Sequence, residues 1–158
     1  ADQLREILAV VCRCHFDRLH LPQSYGNSTP QELPCCLAAG KTGADEIKAM
    51  MERFRQQRPT QLGGSPVVLA KDFGTLKQYK TADNGQQTTE DLDMPATSNV
   101  LQWYTADGTK VSVRPSGTEP KIKFYMEVKG EMGCPKCYPS ACAEAQKKVD
   151  AIAKELGL

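Results

Sequence analysis

VSVRPSGTEPKIKFYMEV, residues 111–128, decides the fold of this chain. Its second half alternates. Ile122, Phe124, Met126 and Val128 fall on one side, and Lys121, Lys123, Tyr125 and Glu127 on the other. A strand turns successive side chains to opposite faces, so this segment predicts a strand with one apolar and one polar face. That pattern suits an antiparallel sheet covered on one face only. Lys110–Val113 predicts a second strand, and the stretch Arg114-Pro115-Ser116-Gly117-Thr118-Glu119-Pro120 between the two predicts a bend.

Working outward, Asn99–Thr105 and Lys110–Val113 form a hairpin around Ala106-Asp107-Gly108, a strong turn signal. Leu101 and Trp103 share a buried face with Val111 and Val113. Val67–Ala70 is a short apolar strand, and Phe73–Lys80 holds another. Thr81–Thr97 is polar, contains Asp83-Asn84-Gly85 and Met94-Pro95, and reads as an exposed loop. A helix runs from a Thr42 cap, with Asp45 three residues on, to Arg58-Pro59. Ala44, Ile47, Met51 and Phe54 are its apolar face, widened by Met50. Methionines at this spacing are core filler. A closing helix over Ser140–Leu158 carries Ala145, Val149, Ile152, Ala153 and Leu156 on one side. The order predicts an α+β fold, with an antiparallel sheet of about four strands and two helices packed on one face.

The N-terminal part differs in character. Leu4, Ile7, Leu8 and Val11 stand at helical spacing and predict a helix from Leu4 to about Cys14. From His20 to Gly40, Pro22, Pro30 and Pro34 mark a loop or linker. The expected organisation is therefore a remnant of a preceding domain over residues 1–40 and one domain over 41–158.

Composition narrows the function. Lysine plus arginine number 20 against 19 aspartate plus glutamate, for a net charge of +1. Such a balance gives no broad pull towards nucleic acid or membrane. An apolar share of 40% and a charged share of 25% suit a globular domain. No apolar run is long enough to span a bilayer. The start, Ala1-Asp2-Gln3-Leu4-Arg5-Glu6, lacks the pattern of a secretory signal and an initiating Met, as expected of a piece of a longer protein.

The bend at 114–120 carries the chemistry. Arginine offers a planar fork of donors suited to phosphate oxygens. Ser116 and Thr118 add hydroxyls, and Gly117 lets backbone amides approach an anion. Prolines at both ends limit the entropy lost on binding. No acid–base or nucleophile–base pair accompanies the loop, so it is suited to holding a phosphate and not to breaking a bond. The residues alone fit an ordinary turn equally well.

Seven cysteines cluster as Cys12 and Cys14; Cys35 and Cys36; Cys134, Cys137 and Cys142. An odd count argues against a complete disulfide framework. Cys134-Pro135-Lys136-Cys137 has the spacing of half a zinc site, with Cys12, Cys14 or His15 as further ligands. That pairing is poor geometry, because C-x-C-H would lie on the predicted helix. The same motif resembles a redox pair without the strand-to-helix context one needs. His15 and His20 have no carboxylate or nucleophile fixed beside them in sequence.

Val111–Val128 resembles the last domain of the α-D-phosphohexomutases, the phosphoglucomutase/phosphomannomutase family, whose R-x-S-G-T-E-P loop grips the phosphate of a phosphosugar. Lys41–Arg55, Asn99–Arg114 and Ser140–Leu158 are similar to the first helix, hairpin and closing helix of that TBP-like domain. Leu4–Val11 and Tyr25-Gly26 are similar to the end of the preceding sugar-binding domain. The resemblance implies that Arg114, Ser116, Gly117 and Thr118 bind substrate phosphate while Glu119 orients the loop. It implies an isomerase that moves a phosphoryl group between the 1- and 6-positions of a hexose through a bisphosphate. Hexose phosphate and the enzyme's other domains are the implied partners, and the cytoplasm the implied location. Mg²⁺ is the implied cofactor, held outside this chain, since the T-A-S-H-N-P-like catalytic serine loop, the D-G-D-x-D-R metal loop and the G-E-x-S-G sugar loop are all missing here. This chain alone is therefore expected to be inactive and to hold no cofactor or metal. The alternatives are a non-catalytic phosphate-sensing module and a zinc-stabilised interaction domain.

Overall fold

The computed structural model describes residues 8–16, 40–82, 84–118, 121–130 and 138–158. In chain order the elements are β1 (Leu8–Phe16), α1 (Gly40–Gln56), β2 (Gln61–Leu62), β3 (Ser65–Asp72), β4 (Lys77–Thr81), β5 (Gln87–Asp91), β6 (Leu101–Thr105), β7 (Lys110–Pro115), β8 (Ile122–Gly130) and α2 (Tyr138–Leu156). The strands form one sheet in the order β1-β8-β7-β6-β3-β4-β5, with β2 paired to β3 beside that path.

Four antiparallel strands, β3, β6, β7 and β8, make the centre of this α+β fold. The pairs Leu101↔Val113, Trp103↔Val111, Val111↔Met126 and Val113↔Phe124 bring the alternating apolar residues of three strands into one layer. All six are buried, as are Ile122 and Val128. Helix α1 lays Ile47, Met51 and Phe54 on this layer, and α2 adds Ala145, Val149, Ile152 and Leu156. Phe54 meets Trp103 edge-on at 5.3 Å between ring centres, and Phe124 at 6.2 Å. Edge-to-face contacts of this kind fix ring orientation and so the seat of the helix. Met50 and Ala153 pack at the margin of the core. Ala44 is exposed, contrary to its expected place, and Gly43 is buried instead. The helix begins at Gly40, so Thr42 lies inside the first turn and not at the expected cap position.

The hairpin and α2 are tied together at one end of the sheet. Asp107 Oδ1 accepts from the Thr105 hydroxyl at 2.6 Å and from the Thr109 amide at 3.1 Å. Its Oδ2 takes the Lys148 ammonium of α2. Partial burial works to raise the Asp107 pKa, but these bonds outweigh it and hold the carboxyl well below its ordinary value. Helix α2 ends at Gly157, whose φ of 78° is left-handed. The Leu158 amide then reaches the Ala153 carbonyl at 2.9 Å and the Gly157 amide that of Lys154 at 3.1 Å, a Schellman cap.

Three further features depart from expectation. Residues 8–16 are strand, not helix, and run parallel to β8 from Leu8↔Ile122 to Phe16↔Gly130. The edge of β8 offers a row of backbone partners, and the Val10-Val11 pair favours the extended chain. Only the last two of the four residues at helical spacing fall within β1; the others lie outside the described residues. The sheet is also wider than about four strands, because β4 and β5 extend its far side. Strand β5 lies inside the expected loop Thr81–Thr97, and every residue of it is exposed. It is held by cross-strand bonds, Lys77 to Asp91 at 2.5 Å, Gln78 to Glu90 at 2.8 Å and Lys80 to Glu90 at 2.6 Å. With no face to bury, it has no apolar period to reveal it.

Candidate functional site

The expected phosphate loop leaves β7 and returns on β8. The last paired residues are Arg114↔Lys123 and Pro115↔Ile122. The Ser116 amide then donates to the Lys121 carbonyl at 2.8 Å and closes the base of the loop. Both strands lie within the sheet, flanked by β6 and β1, so the loop springs from a supported base.

Alternation fixes where the side chains stand. Val113 is fully buried, so Arg114 projects from the opposite, polar face and is exposed. Ser116 is half-buried, and Gly117 and Thr118 are exposed. A methyl group on Gly117 would meet nothing within 4 Å. Glu119 lies outside the described residues.

The register sets Arg114 beside Lys123. Like charges directly opposite across a ladder destabilise each other. Among the described residues, no ion pair engages either one. Four residues further along the same two strands and on the same face, Lys110 pairs with Glu127 at 3.2 Å. The mouth of the loop thus gathers two positive charges on this face. Lys123 was legible in the alternation as a polar-face residue, but only the pairing register brings it to Arg114.

On the core side, Pro115, Ser116 and Lys121 line a cleft of about 880 Å³ against Lys48, Glu52 and Arg55 of α1 and Asn99. Arg114, Gly117 and Thr118 are not among its lining residues. Arg55, Asp72 and Asn99 carry no motif and escape sequence reading. Arg55 Nε donates to Asp72 Oδ2 at 3.2 Å, and its Nη2 to Asn99 Oδ1 at 2.5 Å. Asp72 is buried and its Oδ1 accepts the Gly74 amide at 2.9 Å.

Among the described residues, no three His, Cys, Asp or Glu side chains gather as a metal site. Cys134 and Cys137 of the half zinc motif, Cys35 and Cys36, and His20 lie outside those residues. Cys12, Cys14 and His15 fall in β1. Cys142, on α2, is a free thiol, half-buried. No helix among the described residues is long and apolar enough to cross a membrane.

Comparison with known proteins agrees with the α+β fold. Residues 70–132, from the end of β3 through β8, match the phosphoglucomutase/phosphomannomutase C-terminal domain. The chain is 36% identical over 89 residues to a phosphoglucomutase of Staphylococcus haemolyticus (strain JCSC1435), covering 56% of this chain and 15% of that protein. A phosphoglucomutase of Staphylococcus epidermidis (strain ATCC 12228 / FDA PCI 1200) gives the same identity and coverage. One of Staphylococcus aureus (strain MRSA252) is 36% identical over 90 residues, 57% of this chain and 15% of that protein. The chain thus spans about 15% of the length of these relatives. No solved structure matches it. The two-helix α+β sheet and the matched segment agree, and residues 70–132 are similar to a phosphoglucomutase/phosphomannomutase C-terminal domain.

Proposed function

We propose that this chain is the phosphate-holding end of a phosphohexomutase, a cytoplasmic isomerase that interconverts hexose 1- and 6-phosphates through a bisphosphate. Residues 41–158 are the phosphate-binding domain. Residues 1–40 come from the domain before it, and β1 is the strand that this stretch lends to the sheet edge. The observation that carries the reading is the Arg114–Lys123 pair at the mouth of a loop closed by the Ser116–Lys121 bond. Two adjacent cations that no ion pair engages among the described residues, beside hydroxyl and amide donors, favour a dianion.

In this reading Arg114 is the charged fork, Ser116 and Thr118 donate hydroxyls, and Gly117 donates its amide. Glu119 repels a dianion and so is assigned to orienting the loop. The domain grips the phosphate that is not reacting while transfer proceeds at the other end of the sugar. Phosphoryl transfer belongs to a phosphoserine carried by other domains. Mg²⁺, if bound in those domains, would supply charge stabilisation there. The partners are the hexose phosphate and those domains, with no part for nucleic acid or membrane.

Hydrogen bonds to charged groups contribute roughly 1.5–3 kcal/mol each, and association costs at least about 4 kcal/mol. A few such contacts on one exposed loop give a Kd of about a millimolar. An amide NMR titration of this chain with glucose 6-phosphate tests the reading, with glucose and Arg114→Ala as controls. Shifts confined to 114–119, absent with glucose and lost in the variant, are expected. No shifts at tens of millimolar ligand would refute a preformed clamp. In a full-length enzyme, Arg114→Ala should lower kcat/KM by at least about tenfold, the equivalent of losing one such bond. Unchanged kinetics would remove Arg114 from the site.

A further inference from the structure

We infer that the Arg55–Asp72–Asn99 bridge is a positioning device for the phosphate loop, an inference that rests on the phosphate reading above. Asp72 is a buried carboxylate at the end of β3, 6% exposed. One of its oxygens fixes the Gly74 turn, and the other holds Arg55 Nε at 3.2 Å. Arg55 is thereby oriented from α1 and presents Nη2 to Asn99 at 2.5 Å. Asn99 lies two residues before Leu101, which pairs with Val113; Pro115 lies two residues beyond Val113. The ladder stops at that pair and the chain bends at Asn99, so Asn99 and Pro115 lie just beyond the same end of the β6–β7 pairing, where the loop begins. Asn99, Arg55, Pro115 and Ser116 all line the same cleft.

The chain 98–100 is itself pinned to the Gly74 turn. The Phe73 amide reaches the Val100 carbonyl at 3.0 Å, and the Ser98 amide the Phe73 carbonyl at 3.0 Å. Helix α1, the end of β3 and the entry to β6 thus share one hydrogen-bonded junction, and the loop base faces the cleft that this junction lines. A guanidinium suits it because its planar fork serves two acceptors at a fixed angle, which an ammonium on a flexible stem does not. A group that holds a loop within a fraction of an ångström of its working geometry changes affinity without touching the ligand.

The experiment uses this chain with Arg55→Lys, Asn99→Ala and the double variant, titrated with inorganic phosphate and followed by the Ser116 and Gly117 amide shifts. Asn99 is exposed, so Asn99→Ala should leave the thermal midpoint unchanged while weakening phosphate binding about threefold. Arg55→Lys should weaken it by at least as much. The double variant should be no weaker than Arg55→Lys alone, because both changes break one bridge. Equal affinity in all four proteins, with the wild-type loop still binding phosphate, would overturn the inference and leave the phosphate reading intact. A loss in Arg55→Lys but none in Asn99→Ala would mean that Arg55 contacts the anion itself, and also overturns the positioning role. No binding to the wild-type loop would refute the phosphate reading and this inference with it.

Discussion

Asp107→Asn isolates the charge that ties the hairpin to α2. The substitution keeps the shape of the side chain, and an amide oxygen can still accept from Thr105 and Thr109. What it removes is the negative charge facing Lys148. The Asp107 side chain is 40% exposed and that of Lys148 21%, so solvent screens the pair and its value lies near that of a good surface ion pair. A loss of about 1 kcal/mol is expected at neutral pH, with a fall in Tm of about 4 °C. Asp107→Ala also deletes the acceptor of two turn bonds and should cost about 2 kcal/mol. Thr109 keeps its amide bond to the Thr105 hydroxyl at 3.1 Å, which limits the damage. The folded-state pKa of Asp107 lies below its ordinary 3.8. A depressed carboxylate contributes stability above its unfolded pKa and loses that contribution as pH falls towards the folded one. The gap between wild type and Asp107→Asn should therefore be constant from pH 5 to pH 7, shrink as pH falls below about 4, and narrow in high salt. Urea unfolding at pH 7, 4 and 3 measures it. A gap of the same size at pH 3 and pH 7 would refute the electrostatic origin.

Phe54→Leu tests how α1 is seated. It loses the edge contacts to Trp103 and Phe124 and part of a buried ring, and should cost about 2 kcal/mol by denaturant titration; a loss below 0.5 kcal/mol would mean that the ring triad does not anchor the helix. Gly63→Ala tests the approach of the β2–β3 turn to α2. Gly63 has a φ of 57°, and a methyl group there would come within 2.9 Å of Lys148 Cγ. Strain and crowding together should cost about 1–2 kcal/mol, and a neutral result would show that the helix yields freely.

Much of the domain could be read from residues because its core obeys two simple periods. The alternation at 122–128 and the helical spacing of Ile47, Met51 and Phe54 each point to a face, and those faces meet in one layer. The elements that escaped reading are those stabilised without a buried face. Strand β5 is exposed along its whole length and rests on ladder bonds and charge pairs. Strand β1 depends on a distant partner, which no local period announces. Likewise, the loop motif is contiguous and legible, whereas Lys123, Asn99 and Arg55 reach its surroundings through register and packing.

The pairing of β1 with β8 has a kinetic meaning. The meander β6–β7–β8 joins residues close in sequence, so it can assemble early from local contacts. Leu8 must find Ile122 across more than a hundred residues, and closing so long a loop is slow even though its entropic cost grows only with the logarithm of length. The loop at 114–118 should therefore take shape with the meander, before the sheet edge is sealed. Until β1 arrives, the outer rim of β8 is an open template for a strand from another chain. In refolding, the last step to complete is then the one that covers β8 and moves the sheet's edge out to β1.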